Sequence, residues 1–236
     1  MHHLHDRPAA ISPDSRLRAG ALITNARGTP GTLGCLAVTL DDRRLVFLTS
    51  HHVVFGAGAR EQEPVFVAVD GASPSLQRIA RARHGRRGTV SHHGAEVHID
   101  CATIELDEQT APVGWRLVEE DLDQEPALLP GARVTKAGAT TGTTHGFVEH
   151  TNFSESARIG GRSRETPGQI LVRPCTPGEV FTARGDSGAV LRNEDGAVVG
   201  LLWGADARGY GLACPIAPVL RVLHVGLARF EPTGVS

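Results

Sequence analysis

Lysine is nearly missing from this sequence. Lys136 is the only one among 24 lysines and arginines. No G-x-x-x-x-G-K-[ST] surrounds it, which excludes a P-loop nucleotide site. The arginine excess is explained more simply by codon composition than by function. An excess of one charge sign is also lacking: the formal net charge is −2, which argues against a chain-wide nucleic-acid footprint. Long apolar runs are absent. No stretch approaches the roughly 18 residues of a transmembrane helix. His2, His3, His5 and Asp6 interrupt Met1–Gly20, so no export signal is legible there. Cys35, Cys101, Cys175 and Cys214 are scattered without a C-x-x-C pair, and so read as buried thiols rather than a disulfide framework. A soluble cytoplasmic protein with no membrane association is the expectation.

The chain has enough apolar material for a packed core. Its 236 residues are 40 % hydrophobic and fit one large domain or two small ones. Its 28 glycines and 14 prolines stay below the low-complexity range but punctuate the chain throughout, which excludes a coiled coil. Short alternating runs dominate between them. Thr32–Leu40 and Arg44–Thr49 flank a polar turn and predict a hairpin. Further strands are predicted at Pro64–Val69, Val97–Leu106, Arg133–Ala137, Thr144–His150, Gln169–Arg173, Gly188–Leu191 and Ala197–Trp203. Many short strands with frequent turns imply an all-β sandwich or barrel. One helix is predicted, over Pro215–Leu227, where Ile216, Val219, Leu220 and Leu223 recur at helical spacing behind a proline.

Three motifs carry chemistry, in a fixed order. Thr49-Ser50-His51-His52-Val53 ends a strand, Asp100-Cys101-Ala102-Thr103-Ile104 lies within one, and Gly185-Asp186-Ser187-Gly188 precedes one. A serine hydroxyl is a weak nucleophile until a base lies within hydrogen-bond reach, and a carboxylate behind that base fixes its tautomer. In content and order these motifs resemble the trypsin-like (chymotrypsin-fold) serine peptidases, of the bacterial cytoplasmic type. The resemblance spans Gly31–Val222. It also takes in Val134–Val148, the Trp-Gly strand Gly200–Gly204 and the C-terminal helix.

The resemblance implies two six-stranded antiparallel β-barrels followed by a C-terminal helix. Residues 17–118 would form the first barrel, 119–130 a linker and 131–214 the second barrel. Residues 1–16 would be a tail, and 215–236 the helix and a tail. It implies a serine endopeptidase in which His52, Asp100 and Ser187 are catalytic, with Gly185 and Ser187 amides donating to the oxyanion. Phe181 would floor the specificity pocket, Arg184 would border the cleft, and Leu202, Trp203 and Gly204 would hold substrate. No cofactor or metal is needed, and the partner is a protein or peptide substrate. Two rival readings stay open: an inactive peptide-binding pseudopeptidase, and a processing protease dedicated to one partner in a bacterial stress or defence system. Hydrolysis of a small ester uses the same chemistry.

Departures from the family pattern shape further expectations. Val53 stands where secreted members carry a disulfide cysteine, in keeping with a reducing compartment. No activation cut site precedes the first strand, so Asp186 is expected to be held internally, by an arginine or by backbone amides. The alternative is a loop ordered by substrate. Without a carboxylate, a floor of Phe181 suits small or medium uncharged residues before the scissile bond. His51 and His52 end a strand and point to opposite faces, so only one can face Ser187, and the resemblance implies that it is His52. His92–His98 reads as a loop feeding the Asp100 strand, not as zinc ligands. Arg78–Arg87 reads as a solvated loop or strand, without the interleaved aromatics of a nucleic-acid surface.

Overall fold

The computed structural model describes residues 18–69, 75–107, 115–119, 127–159 and 161–233. The expected tail, 1–16, and residues 120–126 of the expected linker lie outside them. The first half of the chain gives β1 (Leu22–Asn25), β2 (Pro30–Thr32), β3 (Leu36–Thr39), β4 (Leu45–Thr49), a single helical turn α1 (His51–Val54), β5 (Pro64–Val69), β6 (Ser75–His92), β7 (Ala95–Leu106) and β8 (Trp115–Glu119). The second gives β9 (Arg133–Gly138), β10 (Gly142–Ile159), β11 (Arg162–Pro174), β12 (Val190–Arg192), β13 (Val198–Ala205), β14 (Gly211–Pro215), the helix α2 (Ile216–Leu223) and β15 (Val225–Pro232).

Two antiparallel sheets result. One has the order β2-β1-β5-β6-β7-β4-β3-β15-β8, and the other is a closed barrel, β10-β11-β14-β13-β12-β9. The double-barrel architecture expected from the sequence is present. The first sheet counts nine strands rather than six, extended at one edge by β1 and β2 and at the other by β15 and β8.

Strand β4 shows why the sequence folds this way. All five of its residues are buried. Leu45 and Phe47 face the interior of the first sheet, with Ile104 and Leu106. Val46 and Leu48 face the other way, into a core shared with Leu201 and Trp203 of the barrel and Ile216, Val219, Leu220 and Leu223 of α2. Alternation therefore feeds two cores at once, each large side chain contributing about 1.5–3 kcal/mol on burial.

Two expectations need correction. The helix does not reach Leu227: His224 adopts a left-handed conformation (φ 53, ψ 53), and its N–H bonds back to Arg221 O and Leu220 O. From Val225 the apolar period changes from helical spacing to two, and β15 pairs with β3 and β8 of the first sheet instead of trailing as a tail. The histidine-rich stretch is not a loop either. His92 pairs with Ala95, and only His93 (φ 49) and Gly94 (φ 80) turn, both left-handed as a tight two-residue hairpin requires. Arg78–Arg87 lies within β6. Arg78 and Arg81 meet Asp107 at 3.0 and 3.2 Å, and Arg83 meets Asp42 at 2.8 Å and also Glu105.

Candidate active site

His52 is carried by α1, not by the end of β4 as expected. Ser50 leaves the strand extended (φ −82, ψ 144) and the chain then makes one helical turn. Val53 and Val54 pin that turn into the first-sheet core. Gly31 lets β2 approach, since a Cβ there would meet the Val53 methyls at 2.4 Å. Successive helical residues diverge by about 100°. His51 accordingly leans on Phe55, ring centroids 5.0 Å apart, while His52 turns to Asp100.

Asp100, on β7, is fully buried. His52 is fastened to it twice: its backbone N–H donates to Oδ1 at 3.0 Å, and Nδ1 lies 3.0 Å from Oδ2. Burial pushes the carboxyl pKa up. The side-chain hydrogen bond to His52, the charges of His52 and Arg87, and the His52 N–H together pull it down, with a net position below the ordinary carboxylate range. His52 keeps 27 % of its side chain exposed, so its outer edge is open to solvent.

The Ser187 loop packs against the strands that lead to His52. Thr32 N–H donates to Ser187 O at 2.7 Å, and Thr32 Oγ1 donates to Gly185 O at 2.8 Å. Gly188 (φ 100) has no room for a side chain, because a Cβ would fall 2.2 Å from Thr49 Oγ1. The Ser187 hydroxyl donates to Trp203 O at 3.1 Å. Gly185 is left-handed (φ 106), and a Cβ there would meet Thr140 Oγ1 at 2.3 Å. The Gly185 and Ser187 amides have no acceptor among the described residues, whereas the intervening Asp186 N–H donates to Ala183 O at 3.0 Å. Among the described residues the two amides on either side of Asp186 are thus unengaged.

Most of the chain superposes on solved proteases. A Nocardiopsis protease matches with a TM-score of 0.58 at 17 % identity, over 89 % of this chain and 98 % of that one. Thermobifida fusca protease A matches at 0.56 and 16 %, over 89 % and 97 %. A Cellulomonas bogoriensis chymotrypsin matches at 0.54 and 17 %, over 89 % and 97 %. The chain has the chymotrypsin fold. No family model and no curated protein matches it.

Within this chymotrypsin fold, Asp186 is held internally, by backbone amides as one of the two expectations had it, and by a lysine where the other had an arginine. Lys136 Nζ lies 3.1 Å from Asp186 Oδ2, and both side chains are fully buried. Oδ1 accepts the Thr140 and Thr141 N–H at 2.8 and 3.1 Å. Oδ2 accepts Thr141 Oγ1 at 2.6 Å and Ala183 N–H at 3.0 Å. Lys136 also donates to Thr141 Oγ1 and, at 3.1 Å, to Gly142 O. Burial raises the Asp186 pKa, but the Thr141 hydroxyl, the two amides and the Lys136 charge bring it below the ordinary range. Burial lowers the Lys136 pKa, opposed by Asp186.

The expected substrate residues divide. Phe181 does not line an open pocket: its side chain has no exposed surface and belongs to the core of the closed barrel. It fills space left by Gly146 and Gly211, whose would-be Cβ atoms fall 2.8 and 2.6 Å from its ring. Leu202 is likewise buried, and its carbonyl accepts Ser50 Oγ at 3.0 Å. Gly204 is half-buried and Arg184 is exposed. Trp203 is buried, its indole N–H donating to Gln169 Oε1 at 2.6 Å. Sequence reasoning missed Lys136, Thr140, Thr141, Gln169 and Arg87. For Lys136 a signal existed, because a charge on the inward phase of the alternating strand Arg133–Gly138 demands a buried partner.

Proposed function

We propose that the chain is a serine endopeptidase acting through His52, Asp100 and Ser187. The observation that carries this reading is the double fastening of His52 to a buried Asp100, beside a serine loop with two unengaged amides. Ser187 Oγ leaves the Trp203 carbonyl and attacks the scissile carbonyl carbon, giving its proton to His52 Nε2. Asp100 stabilises the imidazolium through Nδ1. The Gly185 and Ser187 amides take the negative oxygen of the tetrahedral intermediate. His52 then protonates the leaving amine, and water repeats the sequence on the acyl-enzyme.

The substrate is a protein or peptide. Trp203 adjoins the nucleophile, since its carbonyl accepts the Ser187 hydroxyl at 3.1 Å. The cytoplasmic setting is supported by the absence of disulfides among the four cysteines, all within the described residues. Among the described residues no helix is long and apolar enough to cross a membrane. Because Asp186 already has Lys136, the oxyanion loop needs no new N-terminal amine, and the chain is expected to be reactive as made.

A fluorophosphonate probe tests this directly. Full-length protein with Met1 intact should be labelled at Ser187, as read by mass spectrometry, and Ser187→Ala should not. Folded protein that resists labelling and still binds peptides would be a pseudopeptidase instead.

A further inference from the structure

Asp100 has a third partner that the triad chemistry does not require. Arg87, on β6, is register-paired with Asp100 of β7. Its Nε lies 2.7 Å from Asp100 Oδ2, the same oxygen that faces His52 Nδ1. The Nε–H is buried and points off the hydrogen-bond line, so the contact is one of charge rather than of a directed bond. The side chain keeps 26 % of its surface exposed, which leaves the guanidinium partly solvated.

We infer that Arg87 is a positioning residue of the catalytic dyad, a fixed positive charge that shares Asp100 Oδ2 with His52 and so governs how strongly the carboxylate holds the imidazolium. A guanidinium does not deprotonate in the working range, so its effect is constant. It keeps Asp100 ionised despite complete burial. It also competes with the imidazolium for the same oxygen, so that loss of the charge leaves the whole carboxylate to the ring. The other groups facing this cluster are His51 on α1, Arg86 on β6, His98 and Cys101 on β7, and Cys214 on β14, whose Sγ accepts the Asp100 N–H at 3.3 Å. Arg164 of β11 acts on His98. Arg87 is the only permanent charge among them in direct contact with the carboxylate among the described residues.

The inference rests on the peptidase reading for its effect on rate, so two readouts are paired. Labelling by a fluorophosphonate is followed from pH 5 to 9 in the parent, Arg87→Gln, Arg87→Met and Arg87→Lys. The downfield proton of the His52–Asp100 hydrogen bond is followed by NMR in the same proteins carrying Ser187→Ala. Removing the charge should move the acid limb of labelling upward by about one pH unit, roughly a tenfold loss at its foot. The NMR transition should move with it, and Arg87→Lys should stay near the parent. An acid limb within twofold of the parent in a folded neutral variant overturns the inference. So does a shift of about one pH unit in Arg87→Lys measured against the parent, the one comparison needed if the neutral variants fail to fold. If nothing is labelled but the NMR transition still moves on loss of the charge, the peptidase reading falls and the role of Arg87 stands.

Discussion

Asp100 and Asp186 are both completely buried, and both are held below the ordinary carboxylate range, yet the chain surrounds them differently. Asp186 sits among fixed donors: two threonine amides, a third amide, the hydroxyls of Thr141 and Thr182 and a buried lysine. Asp100 has one fixed donor, the His52 backbone N–H, and is otherwise held by an imidazole whose outer edge is exposed and by a partly solvated guanidinium. The same cost, a desolvated negative charge, is offset rigidly in one place and by groups that can titrate or relax in the other. The first arrangement shapes a loop. The second lets a proton arrive and depart.

The sharpest way to break the comparison is to neutralise Asp100. Asp100→Asn should lower the fluorophosphonate labelling rate by on the order of 10⁴-fold, because the amide no longer holds the reactive tautomer of His52. Its thermal transition should change much less than that loss of rate suggests. Labelling within tenfold of the parent would remove Asp100 from the chemistry.

The next effect is on stability. Lys136→Met strands Asp186 without a counter-charge in a site that admits no water-exposed escape. Breaking such a buried pair costs about 3–5 kcal/mol. Chemical denaturation should show this, and Lys136→Met combined with Asp186→Asn should recover part of it, since the pair is coupled. A double variant as unstable as the sum of the two singles would mean that the two groups do not interact.

Much of this was legible in the residues. The strands expected over Pro64–Val69 and Arg133–Ala137 are present, the second one residue longer, and the double barrel is the fold that the resemblance carried by the three ordered motifs implies. What stayed hidden was long-range. Nothing local in Val225–Pro232 says that it returns to β3, since its pairing partner lies at the opposite end of the chain. The helical turn at His51 was hidden because Val53 and Val54 are β-branched and follow a strand, and only the tertiary pocket behind β2 turns them. Phe181 was misread for a related reason. Its position in the motif suggested a pocket, but burial is decided by Gly146 and Gly211 on two other strands, whose missing side chains make room for the ring.

The smallest expected effect separates the two aspartates by pH. Each has a folded pKa below its unfolded one, so each contributes stability that is fully present above the unfolded carboxylate pKa. That contribution is lost as pH falls through the depressed folded value. The parent should therefore melt at steadily lower temperature from about pH 5 downward. Asp186→Asn, although less stable at neutral pH, should lose less on acidification, because one of the protons that drives acid unfolding has been removed. Asp100→Asn should flatten the same limb through its own carboxyl. In that variant the Arg87 guanidinium is left beside the His52 ring with no anion between them, which adds a new acid sensitivity. The curve of Asp186→Asn should therefore be the flatter of the two when melting temperature is recorded from pH 7 to pH 3. Parallel curves for both variants and the parent would show that neither carboxyl is depressed by the fold, and the contrast between a rigid and a yielding solution to the same buried charge would lose its energetic basis.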